Sequence, residues 1–253
     1  MPRAARKVSS TGIYHIMIRG INRSGIFYDV EDKNKFLEIL EKVKGEAKFE
    51  LYAYCLMGNH AHFLLKENEE STISEIMKKV CGTYGSWFNY RHHRVGHLFQ
   101  DRFKSECVET QTYFVTVLKY ILNNPVNANI VEEAKDYKWS SYHEYIKKSS
   151  VTDTEFFLNI LDSNPRKSKK YFVQELEKED KGIVFLTADK ERRTDTEAEK
   201  IIYENLSHLG IEGVGEMTTE QRVYFIKKLK AKGLTNRQIM GITGLPKSKV
   251  IGI

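Results

Sequence analysis

Two apolar runs, Phe49 to Leu56 and Ala61 to Lys66, flank the dipeptide Gly58-Asn59. Strand-forming segments on either side of a tight-turn pair predict an antiparallel hairpin, the strongest local constraint on this fold. The hairpin carries the stretch Cys-Leu-Met-Gly-Asn-His-Ala-His-Phe-Leu-Leu from Cys55 to Leu65. Side chains alternate faces along a strand, so His60 and His62 share one face. Two imidazoles projecting together form a ready pair of ligands for one metal ion. The plainer reading is two partly buried histidines satisfied by their neighbours.

Elements around the hairpin follow from periodicity. Gly12 to Arg19 is rich in β-branched and aromatic residues and reads as a strand, with a turn at Gly20 to Arg23. Asp32 to Lys44 places Phe36, Leu37, Ile39, Leu40 and Val43 at helical spacing, with Gly45 as the expected stop. Thr72-x-x-Glu75 is a capping-box signature. It opens a helix carrying Ile73, Ile76, Met77, Val80, Tyr84, Trp87 and Phe88, which runs out in Arg91-His92-His93-Arg94. Phe103 to Glu109 reads as a fourth strand. A helix from Gln111 to about Asn123 follows, capped by Thr110 and stopped by Pro125.

The order strand, helix, strand, strand, helix, strand predicts an α+β fold: a ferredoxin-like (split β-α-β) sandwich with an antiparallel sheet. Helices on one face would leave the other free to meet a ligand. The expected domains are 1–146, a linker and helical extension over 147–194, and a C-terminal all-helical, helix-turn-helix-like module over 195–253.

Composition narrows the partners. The net charge of +6 over 253 residues suits a polyanion without requiring one. The three cysteines, Cys55, Cys81 and Cys107, form no Cys-x-x-Cys pair, so neither a disulfide framework nor a thiolate zinc site is expected. The basic N-terminus lacks an apolar signal core, and no apolar run is long enough to span a bilayer. No membrane association and a cytoplasmic location are the expectations.

Tyr113 and Tyr120 are seven apart on the helix after the fourth strand and share a face. Asn124 lies four residues beyond Tyr120 and points the same way. A phenol and an amide carbonyl are presented together, unless both tyrosines simply pack on the sheet.

These pieces together resemble the single-tyrosine HUH transposases, and most closely the REP-associated tyrosine transposases. The resemblance is carried by Tyr14-His15 to Arg23, Ile26-Phe27, Phe36-Leu37, Tyr54 to Leu65, Gly96 to Lys104, Tyr120 to Pro125 and Trp139-Ser140-Ser141-Tyr142. It spans almost the whole first domain. It implies a catalytic nucleophile at Tyr120, five residues before the proline, and a metal site at His60 and His62, with Asn124 as the third ligand. The implied cofactor is a divalent metal, Mg²⁺ or Mn²⁺. The implied partner is single-stranded or hairpin DNA, handled by a monomer or a homodimer. The implied reaction is strand cleavage and transfer through a 5′-phosphotyrosine.

Arg19, Arg23, Arg102 and Lys104 lie in those motifs and are candidate phosphate contacts, or else solvated surface charges. Arg91 to Arg94 with His97 reads either as a strand-binding groove or as a solvated helix end. Tyr52, Tyr54 and Phe63 are candidates for base stacking or for the core.

Thr218 to Ile253 resembles a helix-turn-helix, with Thr235 as a cap, a turn over Gly241 to Leu245 and Pro246 opening a short reading helix. Lys247 and Lys249 would then face DNA. The rivals are a replication-initiator nuclease, a non-catalytic nucleic-acid binder on the same sandwich and a plain DNA-binding regulator.

Overall fold

The computed structural model describes residues 6–147, 149–177, 195–208, 211, 213–231, 234 and 236–250. The chain divides into two compact units, Met1–Leu186 and Thr187–Ile253.

In the first unit, β1 (Ile13–Arg19), β2 (Glu50–Leu56), β3 (His60–Lys66) and β4 (Lys104–Cys107) form one sheet in the order β2-β3-β1-β4. Every neighbouring pair is antiparallel. With α1 (Val30–Ala47) and α2 (Ile73–Arg91) between strands, this is the expected ferredoxin-like α+β arrangement. Both helices pack on one face, where Ile16, Ile18 and Phe63 meet Phe36, Leu40 and Tyr84. The predicted capping box at Thr72 and Glu75 opens α2. A second box, Asp29 with Asp32, starts α1 earlier than periodicity predicts. The expected stop at Gly45 does not occur. The helix runs on to Ala47 and ends on Lys48, which takes the left-handed conformation (φ 54°).

The opposite face is not open. Helix α3 (Gln111–Asn127) lies across it, packing Phe114, Val117, Leu118 and Ile121 against Ile13, Tyr52, Cys55 and Leu64. Outside α3 come α4 (Tyr142–Ile146), α5 (Glu155–Leu161) and α6 (Pro165–Glu177), whose Tyr145, Phe157 and Phe172 extend the same apolar cluster. This extension was apolar enough to build a second core, so the sheet is covered on both sides. Tyr52, Tyr54 and Phe63 are accordingly buried in cores and cannot stack on bases.

Pro125 does not end α3. The helix continues to Asn127, and Ala128 N–H still donates to the Asn124 carbonyl at 3.0 Å. A proline removes one N–H and crowds the carbonyl four residues earlier, a cost that is smaller in a last turn with few bonds left to lose. The Ile130 N–H then donates to the Pro125 carbonyl at 2.9 Å and closes the end. Asn124 thereby stays helical, one turn from Tyr120.

Two members of the basic cluster at the end of α2, Arg91 and His92, are committed to the fold. Arg91 ion-pairs with Asp29, Glu31 and Asp32, and His92 Nε2 lies 2.8 Å from Asp32 Oδ1. These bonds tie the end of α2 to the start of α1. Gly20, just past β1, permits no other residue, since a Cβ there would fall 2.0 Å from the Ser24 carbonyl oxygen.

Glu144 organises the segment after the sheet. Its carboxylate accepts the backbone N–H groups of Ser150, Val151 and Thr152 and the hydroxyls of Tyr54 and Ser149. Burial alone would raise its pKa, but these donors hold it below the ordinary glutamate value. A carboxyl with a lowered folded pKa stabilises the fold above its unfolded pKa, and that contribution is lost as pH falls through the folded value. Glu144→Ala should therefore cost about 2–3 kcal/mol at pH 7. The deficit should shrink below about pH 4, near the pKa of an unfolded glutamate. Urea unfolding at several pH values checks both statements.

The second unit is helical in its described residues: α7 (Asp195–His208), α8 (Thr219–Ala231), α9 (Asn236–Thr243) and α10 (Lys247–Val250). Ile202, Phe225, Ile226, Leu229 and Ile239 form its core. Thr235, the expected cap, lies outside the described residues. The predicted turn begins later than Gly241, because α9 keeps helical form to Thr243 and Gly244 takes φ 70°. Among the described residues no helix is long and apolar enough to cross a membrane.

Candidate active site and its relatives

The pleat decides which side chains meet. On β3, Ala61, Phe63 and Leu65 enter the α1/α2 core, which sends His60, His62 and Leu64 to the α3 face. On β1, Tyr14, Ile16 and Ile18 enter the same core, which sends His15, Met17 and Arg19 to the α3 face. In the β1–β3 register Arg19 pairs with His60 and Met17 with His62. His15 is then the diagonal neighbour of His62.

Helix α3 delivers the phenol. The Tyr120 ring lies 5.5 Å from the His62 ring and 5.8 Å from that of His15, edge-on to both. The His60 and His62 rings are 5.2 Å apart and perpendicular. Asn124 is buried and hydrogen-bonds through its side chain to both His60 and Tyr120. It raises the pKa of His60 and lowers that of Tyr120.

The electrostatics keep these groups neutral. Burial pushes His60 down to about 4, with the Arg19 charge acting in the same direction. His62, fully buried, is pushed further below its ordinary value by desolvation and by the two neighbouring histidines. Neutral imidazole is the form that binds a metal. Burial raises the Tyr120 phenol above its ordinary value, an effect the Asn124 bond partly offsets.

Individual atoms fit a cation. His60 Nδ1 lies 2.7 Å from Asn59 Oδ1, which can only accept, so the ring donates from Nδ1 and keeps its Nε2 lone pair. His62 Nε2 is buried with no hydrogen-bond partner. An unpartnered buried ring nitrogen is costly in an apolar site and is satisfied by coordination. Among the described residues no three His, Cys, Asp or Glu side chains converge as ligands. The available donors are therefore two imidazoles and the Asn124 amide oxygen, a set suited to Mn²⁺ or Mg²⁺. The buried thiol of Cys55, which desolvation pushes far up, supplies no thiolate.

A match to the model of the IS200-like transposase family covers residues 8–124, from just before β1 through the sheet, both histidines and α3 to Asn124. Over those residues the chain is similar to the IS200-like transposases. A REP-associated tyrosine transposase homologue from Haemophilus influenzae is 26% identical, over 45% of this chain and 70% of its own length. A solved REP-associated tyrosine transposase, bound to a REP hairpin, shares the fold with a TM-score of 0.50 and 19% identity. That likeness covers 61% of this chain and 96% of the other.

The remaining transposase candidates fall in different places. Arg19 is half-buried beside His60. Lys104 pairs with Met17 across β1–β4, so it shares the histidine face, where it is exposed. Arg23 is half-buried on the loop after β1, its carbonyl held by the Asn59 amide. Arg102 is exposed and lines a groove of ≈ 820 Å³ beside α2, together with Arg6, Ser86 and Asn89, rather than the histidine site. Lys247 and Lys249 are exposed on α10 of the second unit. Tyr113 is tied to Glu106 by a hydrogen bond. His15 and Glu106 were missed as site residues. Alternation along β1 puts His15 on a definite face, but its meeting with His62 depends on a register that periodicity does not supply.

Proposed function

We propose that this transposase cleaves and rejoins single-stranded DNA at hairpin-forming sites through a 5′-phosphotyrosine on Tyr120. The observation that carries the reading is the meeting of Tyr120 and Asn124, from helix α3, with His60 and His62, from strand β3. The match over residues 8–124 supports the same reaction class. The hairpin in the solved relative supports the substrate.

The chemistry needs an aligned nucleophile and relief of charge on the phosphate. The Tyr120 oxygen attacks phosphorus, a P–O bond to Tyr120 forms, and the P–O3′ bond breaks. The phenol proton ends on the released 3′-hydroxyl. The tyrosyl ester keeps the free energy of the phosphodiester, so a second 3′-hydroxyl can attack it and regenerate the phenol without ATP. A divalent metal held by His60, His62 and Asn124 supplies Lewis-acid polarisation of the scissile phosphate when bound. Asn124 orients the Tyr120 oxygen, and Arg19 and Lys104 place positive charge on the same sheet face. Arg23 and Arg102 would hold flanking phosphates, as would Lys247 and Lys249 on the second unit.

Incubation with a hairpin oligonucleotide and Mn²⁺, followed by denaturing electrophoresis, tests the proposal. A protein–DNA band that survives denaturation is expected and should vanish in EDTA. A retarded native band with no covalent product would mean a binder instead.

A further inference from the structure

We propose that His15 is a positioning residue which, facing the charge of Glu106, fixes the tautomer of His62 and aims its Nε2 lone pair at the metal site. This rests on the metal site proposed above.

His15 is fully buried, and its Nε2 lies 3.0 Å from His62 Nδ1. The two rings stack with centroids 5.2 Å apart and planes inclined by 27°. On the far side, His15 Nδ1 lies 3.8 Å from Glu106 Oε2, beyond hydrogen-bond length, so the carboxylate acts on that nitrogen through its charge. Glu106 is itself hydrogen-bonded to the Tyr113 hydroxyl. The result is a line from Tyr113 through Glu106 and His15 to His62, entirely behind the ring nitrogen that faces the site.

Two facing imidazole nitrogens need one donor and one acceptor, so only two arrangements exist for a neutral pair. In the first, His15 carries its proton on Nδ1, toward the carboxylate. Its Nε2 then accepts from His62 Nδ1–H, and His62 Nε2 is an open lone pair. In the second, a His15 Nδ1 lone pair opposes the Glu106 carboxylate, and a His62 Nε2–H is buried where no acceptor exists. The second arrangement is penalised at both ends, by repulsion and by a lost hydrogen bond. Glu106 therefore selects the first, in which His62 is preset as a ligand. Outer partners of this kind typically change metal affinity by about 10–100-fold when removed.

The test has two parts. First, ¹⁵N spectra of the metal-free wild-type protein at neutral pH report the His62 tautomer directly. A protonated Nδ1 with an unprotonated Nε2 is expected; a protonated Nε2 would overturn the inference, whatever the variants do. Second, Mn²⁺ affinity is measured by electron paramagnetic resonance for wild type, His15→Phe and His15→Gln. Phenylalanine keeps the ring volume without the acceptor. The glutamine side-chain oxygen can stand where His15 Nε2 stands and accept from His62. His15→Phe should bind Mn²⁺ about 10–100-fold more weakly, and His15→Gln should recover most of the loss. Equal affinity in His15→Phe, or no recovery in a folded His15→Gln, would show that the acceptor is irrelevant. If wild type itself bound no Mn²⁺ that His62→Ala removes, the metal site would fall and this inference with it.

Discussion

His62→Ala should lose Mn²⁺ binding and lower DNA cleavage by ~10³-fold or more, while binding of hairpin DNA in EDTA stays near wild type. The size follows from the task assigned to the site. Lewis-acid stabilisation of a phosphoryl transition state is worth several kcal/mol, and each ~1.4 kcal/mol is tenfold in rate. His62 is the fully buried member of the pair, with its ring wedged between His15, His60 and Tyr120. Among the described residues the other fully buried imidazole is His15, which sits behind His62 and faces its Nδ1 rather than the Nε2 side where the cation would lie. Alanine also leaves a cavity at that point, so some stability will be lost as well. Thermal unfolding without metal separates that loss from the loss of Mn²⁺ affinity. Cleavage within a few fold of wild type, in a variant shown not to bind Mn²⁺, would remove the metal from the account.

Tyr120→Phe should abolish covalent DNA adducts and strand joining, with a fall in cleavage on the order of 10⁴–10⁶-fold. Mn²⁺ affinity should hardly change, since the phenol is not among the proposed ligands. Stability should shift by no more than about 1 kcal/mol, because a single hydroxyl and its bond to Asn124 are removed. Tyr113 is the only other tyrosine on that helical face, but its hydroxyl is engaged with Glu106. Rescue by Tyr113 is therefore not expected. Adducts persisting in Tyr120→Phe would assign the nucleophile elsewhere, and Tyr120→Phe/Tyr113→Phe would then show whether Tyr113 is the source. Quantifying adduct and joined product over a time course gives both rates.

Features governed by local rules were legible before any coordinates. The hairpin around Gly58-Asn59, the shared face of His60 and His62, the Thr72–Glu75 box and the stacking of Asn124 one turn beyond Tyr120 each need only a short window of residues. Failures came where distant packing or charge overrode a local signal. Pro125 reads as a stop, yet the last turn of α3 is held by bonds from Ala128 and Ile130 that lie beyond it. The second sheet face looked free because nothing local marks α3 to α6 as a second layer; only the burial of Phe114, Tyr145, Phe157 and Phe172 does. The cluster at Arg91 and His92 read either as a strand-binding groove or as a solvated helix end, but its partners are the acids at the start of α1, some sixty residues away. His15 and Glu106 depend on strand register, which a one-residue slip would invert.

The central claim is that the phenol of Tyr120 becomes covalently bonded to DNA beside a cation held by His60 and His62. Mass spectrometry of the trapped adduct, after protease and nuclease digestion, tests it most directly. A nucleotide phosphate on the peptide containing Tyr120, formed with Mn²⁺ and absent in EDTA, is the predicted result. A nucleotide on any other residue, or cleaved DNA with no protein-linked phosphate at all, would contradict it.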